Sequence, residues 1–386
     1  MRTVITADRL WDGKQVFNHP IVVFNDGLIE SVVPRTESEI PSGAQWLSFP
    51  GATLAPAFFD VHFHGAVNHD VMDATPEALD AISAFLASRG TASFLATTVT
   101  APMDATLRAL EGLADLIERP AEPGRARPLG IHLEGPFLSH TKRGVHPPAS
   151  LLAPNIAVFD RMLDAARGHV RLMTLAPELP GAAELAAHAD TRGVRISMGH
   201  SNATAEETQA VRSAGAVSAT HTFNAMRPLD HREPGILGVT LTDDDLYAEI
   251  ICDGIHTRPE MVKLWWRAKG PARGLLVTDA MSATGMPDGE YMLGGFAVQV
   301  SDGRAMANGV LAGSVLTQNR ALENFLRFTG ASLTDGLGLL TTNPATMTGL
   351  TSKTGSIAVG QPADMVVLDS TGKLQQSIVG GHAVMG

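Results

Sequence analysis

Residues 194–200, VRISMGH, and residues 215–221, GAVSATH, are two apolar runs that end on His200 and His221. The helical pattern between them opens on a capping box at Thr204. Short apolar runs that alternate with helices favour a parallel sheet with right-handed crossovers. Histidine is the commonest metal ligand and general acid or base, and at the end of a buried strand it faces a pocket rather than a core. This stretch therefore predicts an α/β fold with its chemistry at the ends of strands.

Eight runs of this kind alternate with helical patterns along the chain, and Thr75-Pro76 opens one of these helices. Eight strand-helix units favour closure of the sheet into a (β/α)8, TIM-like barrel. A doubly wound open sheet is the alternative fold. The runs are LAPAFFDVHFH (54–64), TASFLATTVT (91–100), PLGIHLEG (128–135), HVRLMTLAPE (169–178), VRISMGH (194–200), AVSATH (216–221), LYAEIICDGIH (246–256) and GLLVTD (274–279).

The two ends of the chain have a different pattern. Strand-like runs and turns at Asp12-Gly13 and Asp26-Gly27 fill residues 1–52, and the end of the chain has the same character. Neither end is long enough to bury a core alone, so we expect both to pair into one small β-sandwich. The predicted domains are a β-sandwich from residues 1–52 plus 350–386 and a catalytic barrel from residues 53–349.

The composition limits the possible partners. The chain has 386 residues, 44% of them hydrophobic, and a net charge of -11. This acidity argues against general binding to nucleic acid or an anionic membrane, so an anionic ligand must meet local cations. The single cysteine, Cys252, excludes an intrachain disulfide and is expected to be a buried small hydrophobic residue rather than a nucleophile. Neither a signal-peptide pattern nor a membrane-spanning run is present, so we expect a cytoplasmic protein.

Metal-binding residue types occur at the C-terminal ends of six of the eight runs. One of them, Glu134, ends an apolar run where an unpaired carboxylate would be costly to bury. With His200 and His221 it would make a three-ligand site that leaves a position open for water. A second ion has its own candidate ligands, with Glu134 as the bridge. These are His62, His64 and Asp279. We therefore predict a centre of one or two divalent ions; such ligands accept zinc, iron, manganese or cobalt, and zinc is our first expectation.

Three further residues have predicted roles. Asp279 can take a proton from water and deliver it to a leaving group, with a helix-capping role as the alternative. His256 either binds metal or hydrogen-bonds a substrate oxygen. His132 lies one layer deeper in its strand, so we expect it to support the ligands by hydrogen bonding rather than to bind metal. Residues 138–150 and 288–310 interrupt the strand-helix rhythm and are expected to form lids or substrate walls. The second segment contains strand-like pieces around Gly294-Gly295 and Asp302-Gly303.

These motifs together resemble the amidohydrolase superfamily, and within it the N-acetylglucosamine-6-phosphate deacetylase family. The resemblance covers nearly the whole chain, and HSNAT and FNAM with REPG are its most specific parts. It implies a sandwich plus barrel, a divalent metal, and hydrolysis of the acetamide of a phosphorylated amino sugar to acetate and the free amine. The matching segments are DVHFHG (60–65), GIHLEGPFLS (130–139), KRGVH (142–146), MGHSNAT (198–204), THTFNAMRPLDHREPG (220–235), DGIH (253–256), VTDAMSATG (277–285) and LAGS (311–314).

The resemblance also implies roles for single residues. Asp279 matches the catalytic aspartate and His256 the histidine that contacts the substrate. Arg232 matches a phosphate-binding arginine that the neighbouring subunit of a dimer supplies, which implies a homodimer; a planar guanidinium suits such a contact. The main metal ligands correspond to Glu134, His200 and His221. The other substrate-binding matches are Asn224, Ala225, His146, Leu311, Ala312 and Gly313.

The sequence leaves three alternatives open. Members of the family that replace the HxH histidines use one metal, whereas this chain keeps both His62 and His64, so one and two ions both remain possible. The substrate could instead be N-acetylgalactosamine 6-phosphate or an N-acyl-amino acid. Outside this enzyme class, the chain could be a non-catalytic sugar-phosphate-binding protein, against which the intact Asp279 and the full ligand set argue.

Overall fold

The computed structural model describes residues 2–34 and 43–384, and its centre is a sheet of eight parallel strands in chain order. The first and last strands meet through the backbone: the Asp279 N–H donates to the His62 carbonyl at 2.9 Å, and the His64 N–H donates to Ala280 at 2.8 Å. The predicted barrel is therefore confirmed, and the open sheet is wrong. The barrel strands, first to eighth, are Phe58–Phe63, Thr91–Val99, Arg127–Glu134, Val170–Leu175, Arg195–Met198, Ala216–Ala219, Tyr247–Ile251 and Gly274–Val277.

Helices cover the outside of the barrel. Two predicted helix starts are confirmed: the Thr75 side chain accepts from the Ala78 N–H, and Thr204 forms a capping box with Glu207. Each helix places an apolar face on the strands, as Ile82 does in the cluster that surrounds the early barrel strands. The α-helices are Pro76–Ser88, Met103–Ile117, Ile156–Ala165, Ala182–Thr191, Ala205–Ser213, Gly235–Thr242, Pro259–Arg273, Gln318–Thr329, Leu333–Leu340 and Thr342–Met347. No helix within residues 2–34 and 43–384 is both long and apolar enough to span a membrane.

The two ends of the chain pair with each other in one eight-stranded sheet, and the sequence predicts such a pairing within a β-sandwich. Strand Gln45–Pro56 lies at its middle, parallel to Thr3–Trp11 on one side and antiparallel to Met365–Leu368 on the other. The sheet curls around an apolar core that includes Phe24 and Ile378. The remaining strands are Val16–Asn18, Pro20–Asn25, Leu28–Pro34, Leu374–Val379 and His382–Val384. We propose that this sheet forms the domain assigned to residues 1–52 plus 350–386; residues 1, 35–42, 385 and 386 lie outside the described residues.

Two insertions surround the mouth of the barrel. The first carries two short 3₁₀ helices, His140–Lys142 and Pro148–Ser150. The second is a four-stranded antiparallel sheet that turns at Gly294-Gly295 and at Asp302-Gly303, where the sequence predicts strand-like pieces. Its strands are Gly289–Leu293, Phe296–Ser301, Arg304–Ala307 and Val310–Leu311. A short pair, Gly65–Ala66 with His69–Asp70, and a 3₁₀ turn, Val71–Asp73, follow the first barrel strand. Both insertions therefore stand over the end of the barrel that carries the predicted site.

Candidate metal centre and active site

Six buried side chains converge at the C-terminal end of the barrel, as the sequence predicts. They are His62, His64, Glu134, His200, His221 and Asp279. The Oε1 atom of Glu134 lies 3.1 Å from the Nε2 atom of His200 and 3.2 Å from that of His221. Its Oε2 atom lies 3.3 Å from the Nε2 atom of His64, which is also 3.1 Å from Asp279. Glu134 thus contacts the side chains of both groups: His62 also lies 3.3 Å from Oε1, beside His200 and His221, while His64 lies at Oε2.

The hydrogen-bond partners of two ligand histidines fix which ring nitrogen carries the proton. The Nδ1 atom of His200 lies 3.0 Å from the Lys142 carbonyl oxygen, and that of His64 lies 2.9 Å from the Thr97 carbonyl oxygen. A carbonyl oxygen only accepts, so each Nδ1 is a donor, and each ring in its neutral, metal-binding form presents an Nε2 lone pair. Both lone pairs face the carboxylate of Glu134, which is also an acceptor. A divalent cation between these atoms would accept both lone pairs and the carboxylate, so the residues fit a divalent metal ion.

The donor atoms fall into two groups that could each hold an ion. Glu134, His200 and His221 form one group, and within each group the donor atoms lie within 4.8 Å of one another. The other group consists of His62, His64 and Asp279. Imidazole nitrogen and carboxylate oxygen suit zinc, iron, manganese and cobalt alike.

The charges in the site are arranged as a cation site requires. Burial acts to raise the pKa of Glu134, but the surrounding histidines outweigh it and hold that pKa well below its usual range. Burial also opposes the charge on Asp279, and the pKa of this carboxyl is still lowered, chiefly by His62. Burial lowers the pKa of His200 to about 4, so this ring is neutral, which is the form that binds metal. Two carboxylates and a neutral imidazole therefore face the ion position.

The backbone turns sharply after each of these strands. His200, His221 and Asp279 have positive φ angles of 47°, 27° and 51°. Such angles are uncommon for residues other than glycine and cost about 1–2 kcal/mol each. At Asp279 the turn is held by bonds on both sides, because the Ser314 N–H donates to its carbonyl oxygen at 2.6 Å. The strain is offset by these contacts and directs the ligand side chains into the mouth of the barrel.

A cavity of about 520 Å³ opens above the ligands. Its walls come from the loop at residues 140–146 and from the inserted sheet, so both predicted wall segments are in place. Most of the predicted substrate-binding residues line it: Asn224, Ala225, His146, His256, Leu311 and Gly313. Ala312 instead packs into the apolar core of the inserted sheet. Arg232 is exposed and lies outside the lining of the cavity, and Glu233 bonds the Ala205 and Gly235 N–H groups rather than Arg232.

His256 is held by a carboxylate of its own. Its Nδ1 atom donates to the Oδ2 atom of Asp253 at 2.6 Å, and the backbone N–H groups of Ile255 and His256 donate to Oδ1 at 2.7 and 2.8 Å. Burial lowers the pKa of His256, but the bond to Asp253 outweighs it, and the net pKa is raised. His256 lines the cavity and belongs to neither ligand group, so the geometry favours the substrate contact over metal binding.

Two other histidines occupy places that their hydrogen bonds explain. The Nδ1 atom of His146 accepts from the Thr100 N–H at 3.3 Å, so its Nε2 carries a proton and faces Glu134 at 3.5 Å. His146 is therefore a donor beside the centre rather than a ligand. His132 packs edge-to-face against His62 with ring centroids 4.8 Å apart. Its nitrogens bond the Val61 carbonyl and the Thr174 hydroxyl rather than a ligand, so it supports His62 by packing instead of the expected hydrogen bond.

One buried carboxylate escaped the sequence analysis. Glu249 lies in the seventh barrel strand and is fully buried. Its Oε2 atom is 3.3 Å from the Nδ1 atom of His62 and 3.3 Å from the backbone nitrogen of His221. The available signal was an acid inside an apolar run, LYAEIICDGIH, where a buried carboxylate is as costly as at Glu134, although Glu249 does not end its run.

Comparison with known proteins places this site in a family. The model of the amidohydrolase family matches residues 53–384. The chain belongs to the amidohydrolase family. N-acetylgalactosamine-6-phosphate deacetylase of Escherichia coli O157:H7 is 38% identical, over 99% of both chains. N-acetylglucosamine-6-phosphate deacetylase of Bacillus subtilis (strain 168) is 36% identical, over 95% of this chain and 93% of that one.

Solved structures give the same result. The N-acetyl-D-glucosamine-6-phosphate deacetylase of Mycobacterium smegmatis, solved as a mutant in complex with N-acetyl-D-glucosamine-6-phosphate, has a TM-score of 0.92 with 32% sequence identity. The superposition covers 100% of both chains. Members of this superfamily depend on metal, in agreement with the two groups of ligands found in this barrel.

Proposed function

We propose that this protein hydrolyses the acetamide of N-acetylglucosamine 6-phosphate to glucosamine 6-phosphate and acetate. The observation that carries the proposal is the convergence of bare histidine lone pairs on Glu134, beside Asp279, on the floor of a cavity of about 520 Å³. Relatives that match nearly the whole chain and are named for this reaction support the substrate class.

The residues of the centre have separable roles in this reaction. Glu134, His200 and His221 would hold a divalent ion, alone or with a second ion at the other group, and the bound metal would supply Lewis-acid activation of water and of the amide carbonyl. The Asp279 carboxylate takes the proton of the attacking water and passes it to the departing nitrogen. His256 donates from Nε2 to the carbonyl oxygen, where negative charge develops.

The phosphate of the substrate requires cations in an acidic protein. Lys142 and Arg143 line the cavity, and Arg232 is the further cation that we assign to the phosphate. Because Arg232 is exposed and outside the cavity of its own chain, we propose that it serves the neighbouring subunit of a homodimer. We further propose zinc as the resident ion and the cytoplasm as the location; the one cysteine, Cys252, is buried and unpaired.

N-acetylgalactosamine 6-phosphate is the second candidate substrate. The relative from Escherichia coli O157:H7, which is 38% identical to this chain, is named for that sugar. The two sugars differ only in the orientation of one hydroxyl group, which the cavity must read by a hydrogen bond. An N-acyl-amino acid is a poorer candidate substrate, because it lacks the phosphate that Lys142 and Arg143 in the cavity would bind. A purely sugar-phosphate-binding protein would have no use for the Asp279 carboxylate at the floor of the cavity.

The test is a small panel of N-acetyl sugars and their 6-phosphates, assayed for acetate release with and without a chelator. We expect fastest release from N-acetylglucosamine 6-phosphate, loss of activity with the chelator, and its recovery when zinc is returned. Release that persists in metal-free protein would contradict the proposed centre. Tight binding of sugar phosphate without acetate release would favour the non-catalytic alternative.

A further inference from the structure

Glu249 is a buried charge that the proposed reaction does not use. It lies inside the barrel with no exposed surface, in a strand whose five residues are all buried. Its Oε2 atom accepts two hydrogen bonds, and its Oε1 atom has no partner within the described residues. Burying a carboxylate with an unsatisfied oxygen costs several kcal/mol, and an apolar side chain would fill this position better. Packing therefore does not explain this residue.

Glu249 contacts one residue from each group of candidate ligands. One bond is to the ring of His62, and the other is to the backbone N–H of His221, each at 3.3 Å. Because a carboxylate accepts, His62 carries a proton on Nδ1, which leaves Nε2, 3.3 Å from Glu134 and 3.5 Å from Asp279, as the atom that would bind an ion. Glu249 thus determines the tautomer and the orientation of this ring.

His62 differs from the other ligand histidines in the charge of its partner. His64 and His200 donate to neutral backbone carbonyls, whereas His62 donates to a carboxylate. An anionic partner makes an imidazole a stronger metal ligand than a carbonyl partner does. The carboxylate partner of His62 therefore strengthens binding of an ion at His62 more than the carbonyl partner of His200 strengthens binding at His200.

We propose that Glu249 is a positioning residue of the metal centre: it holds His62 as a strong ligand and thereby sets how tightly the group of His62, His64 and Asp279 binds its ion. The inference rests on the proposed metal centre, and it adds a residue that acts only through His62 and the backbone of His221.

The test measures metal affinity rather than activity. Metal-free protein is titrated with zinc against a chromophoric chelator, and the bound metal is counted by elemental analysis. In Glu249→Gln, which keeps an acceptor oxygen but loses the charge, we expect affinity for the ion at the group of His62, His64 and Asp279 to fall about 10- to 100-fold. Asp253→Asn is the matched control, because it removes the carboxylate partner of His256, a histidine outside both groups. Its zinc affinity is expected to stay within about twofold.

A double-mutant cycle separates positioning from simple loss of stability. If Glu249 acts through His62, Glu249→Gln in a His62→Asn background changes zinc affinity by less than about threefold. An equal loss in both backgrounds, or no loss in the parent, overturns the inference. If Glu249→Gln fails to fold, ¹⁵N-histidine NMR of the unaltered zinc-loaded protein still tests the inference. The inference requires a proton on Nδ1 of His62 and none on Nε2. Acetate release by the parent protein tests the proposed function separately.

Discussion

Asp279 contributes both to the closure of the barrel and to the proposed proton transfer. Its N–H bonds the first strand at the His62 carbonyl, while its carboxylate lies 3.1 Å from the Nε2 atom of His64. We expect Asp279→Asn to lower kcat by at least a hundredfold, because the amide cannot carry a proton from water to nitrogen. Metal bound at the group of Glu134 is expected to remain, as elemental analysis will show.

The control for this change is Asp244→Asn, which neutralises an exposed carboxylate far from the cavity lining. Its kcat is expected to equal that of the parent. A kcat of Asp279→Asn that stays near the parent value would remove Asp279 from the proton path.

The raised pKa of His256 predicts that stability and kcat/KM both fall at alkaline pH. Its pKa lies above the ordinary value of 6.5, because the bond to Asp253 outweighs burial. The protonated ring therefore contributes stability that is complete below about pH 6.5 and is lost as pH rises through the raised pKa. If the charged ring serves the transition state, kcat/KM falls over the same range. Asp253→Asn should move this alkaline limb to lower pH, as a pH profile will show, and an unmoved limb would contradict the role of His256.

At the residue scale, the sequence singled out the side chains that converge around Glu134 because each ends a strand that apolar runs reveal, and their role as metal ligands stays a prediction. Glu249 was missed because it lies within a run, where its contact with His62 depends on which strands oppose each other across the barrel. His132 was placed at the right depth, but its partners depend on ring orientation, which spacing does not determine. The role of Arg232 stays a prediction, because it depends on a second subunit.

At the scale of elements, helix Ala205–Ser213 begins at a cap that lies within the HSNAT motif. The Thr204 side chain accepts from the Glu207 N–H at 3.2 Å, and the Glu207 carboxylate accepts from the Thr204 N–H at 2.8 Å. Thr204→Ala should lower the free energy of unfolding by about 1 kcal/mol, measured by urea unfolding. Because this side chain is used for capping, kcat is expected to stay within about twofold.

Gln209→Ala is the comparison, since Gln209 lies exposed on the same helix. It should change the unfolding free energy by no more than about 0.5 kcal/mol. A loss of activity in Thr204→Ala without a loss of stability would instead place this residue in the substrate site.

The sequence predicts secondary-structure elements correctly where neighbouring residues alone determine their ends. Thr75-Pro76 and Thr204 with Glu207 both begin helices as expected, since caps depend on neighbouring residues. The inserted sheet was visible only as strand-like pieces. Its position over the cavity depends on contacts such as the Gly294 N–H bond to the Asp70 carboxylate, which joins residues far apart in the chain.

At the scale of the whole molecule, the proposal that Arg232 crosses between subunits can be tested by mixing. Arg232→Ala should raise KM for the phosphorylated sugar about 10- to 100-fold, and much less for the unphosphorylated sugar. Subunits carrying Arg232→Ala, mixed with subunits carrying Asp279→Asn, should recover roughly a quarter of parental activity, because random pairing completes one site in half of the dimers.

The control is each variant mixed with itself and assayed at substrate concentrations below KM, where its activity should stay at the level of that variant alone. If Arg232 acted within its own chain, the mixed sample would stay at the level of the two variants alone. Sedimentation of the parent protein as a monomer would contradict the dimer itself.

The sheet made from both ends of the chain sets an order of events during synthesis. Strand Gln45–Pro56 is made early, but its antiparallel neighbour Met365–Leu368 emerges only after residues 57–364. At translation rates of roughly 5–20 residues per second, the strand waits on the order of 15–60 s with one edge unpaired. An unpaired edge is a template for aggregation, so the growing chain is most vulnerable while its barrel is still being made. Fast synthesis or a chaperone on the nascent chain should therefore improve the yield of folded protein more than any change in the finished barrel.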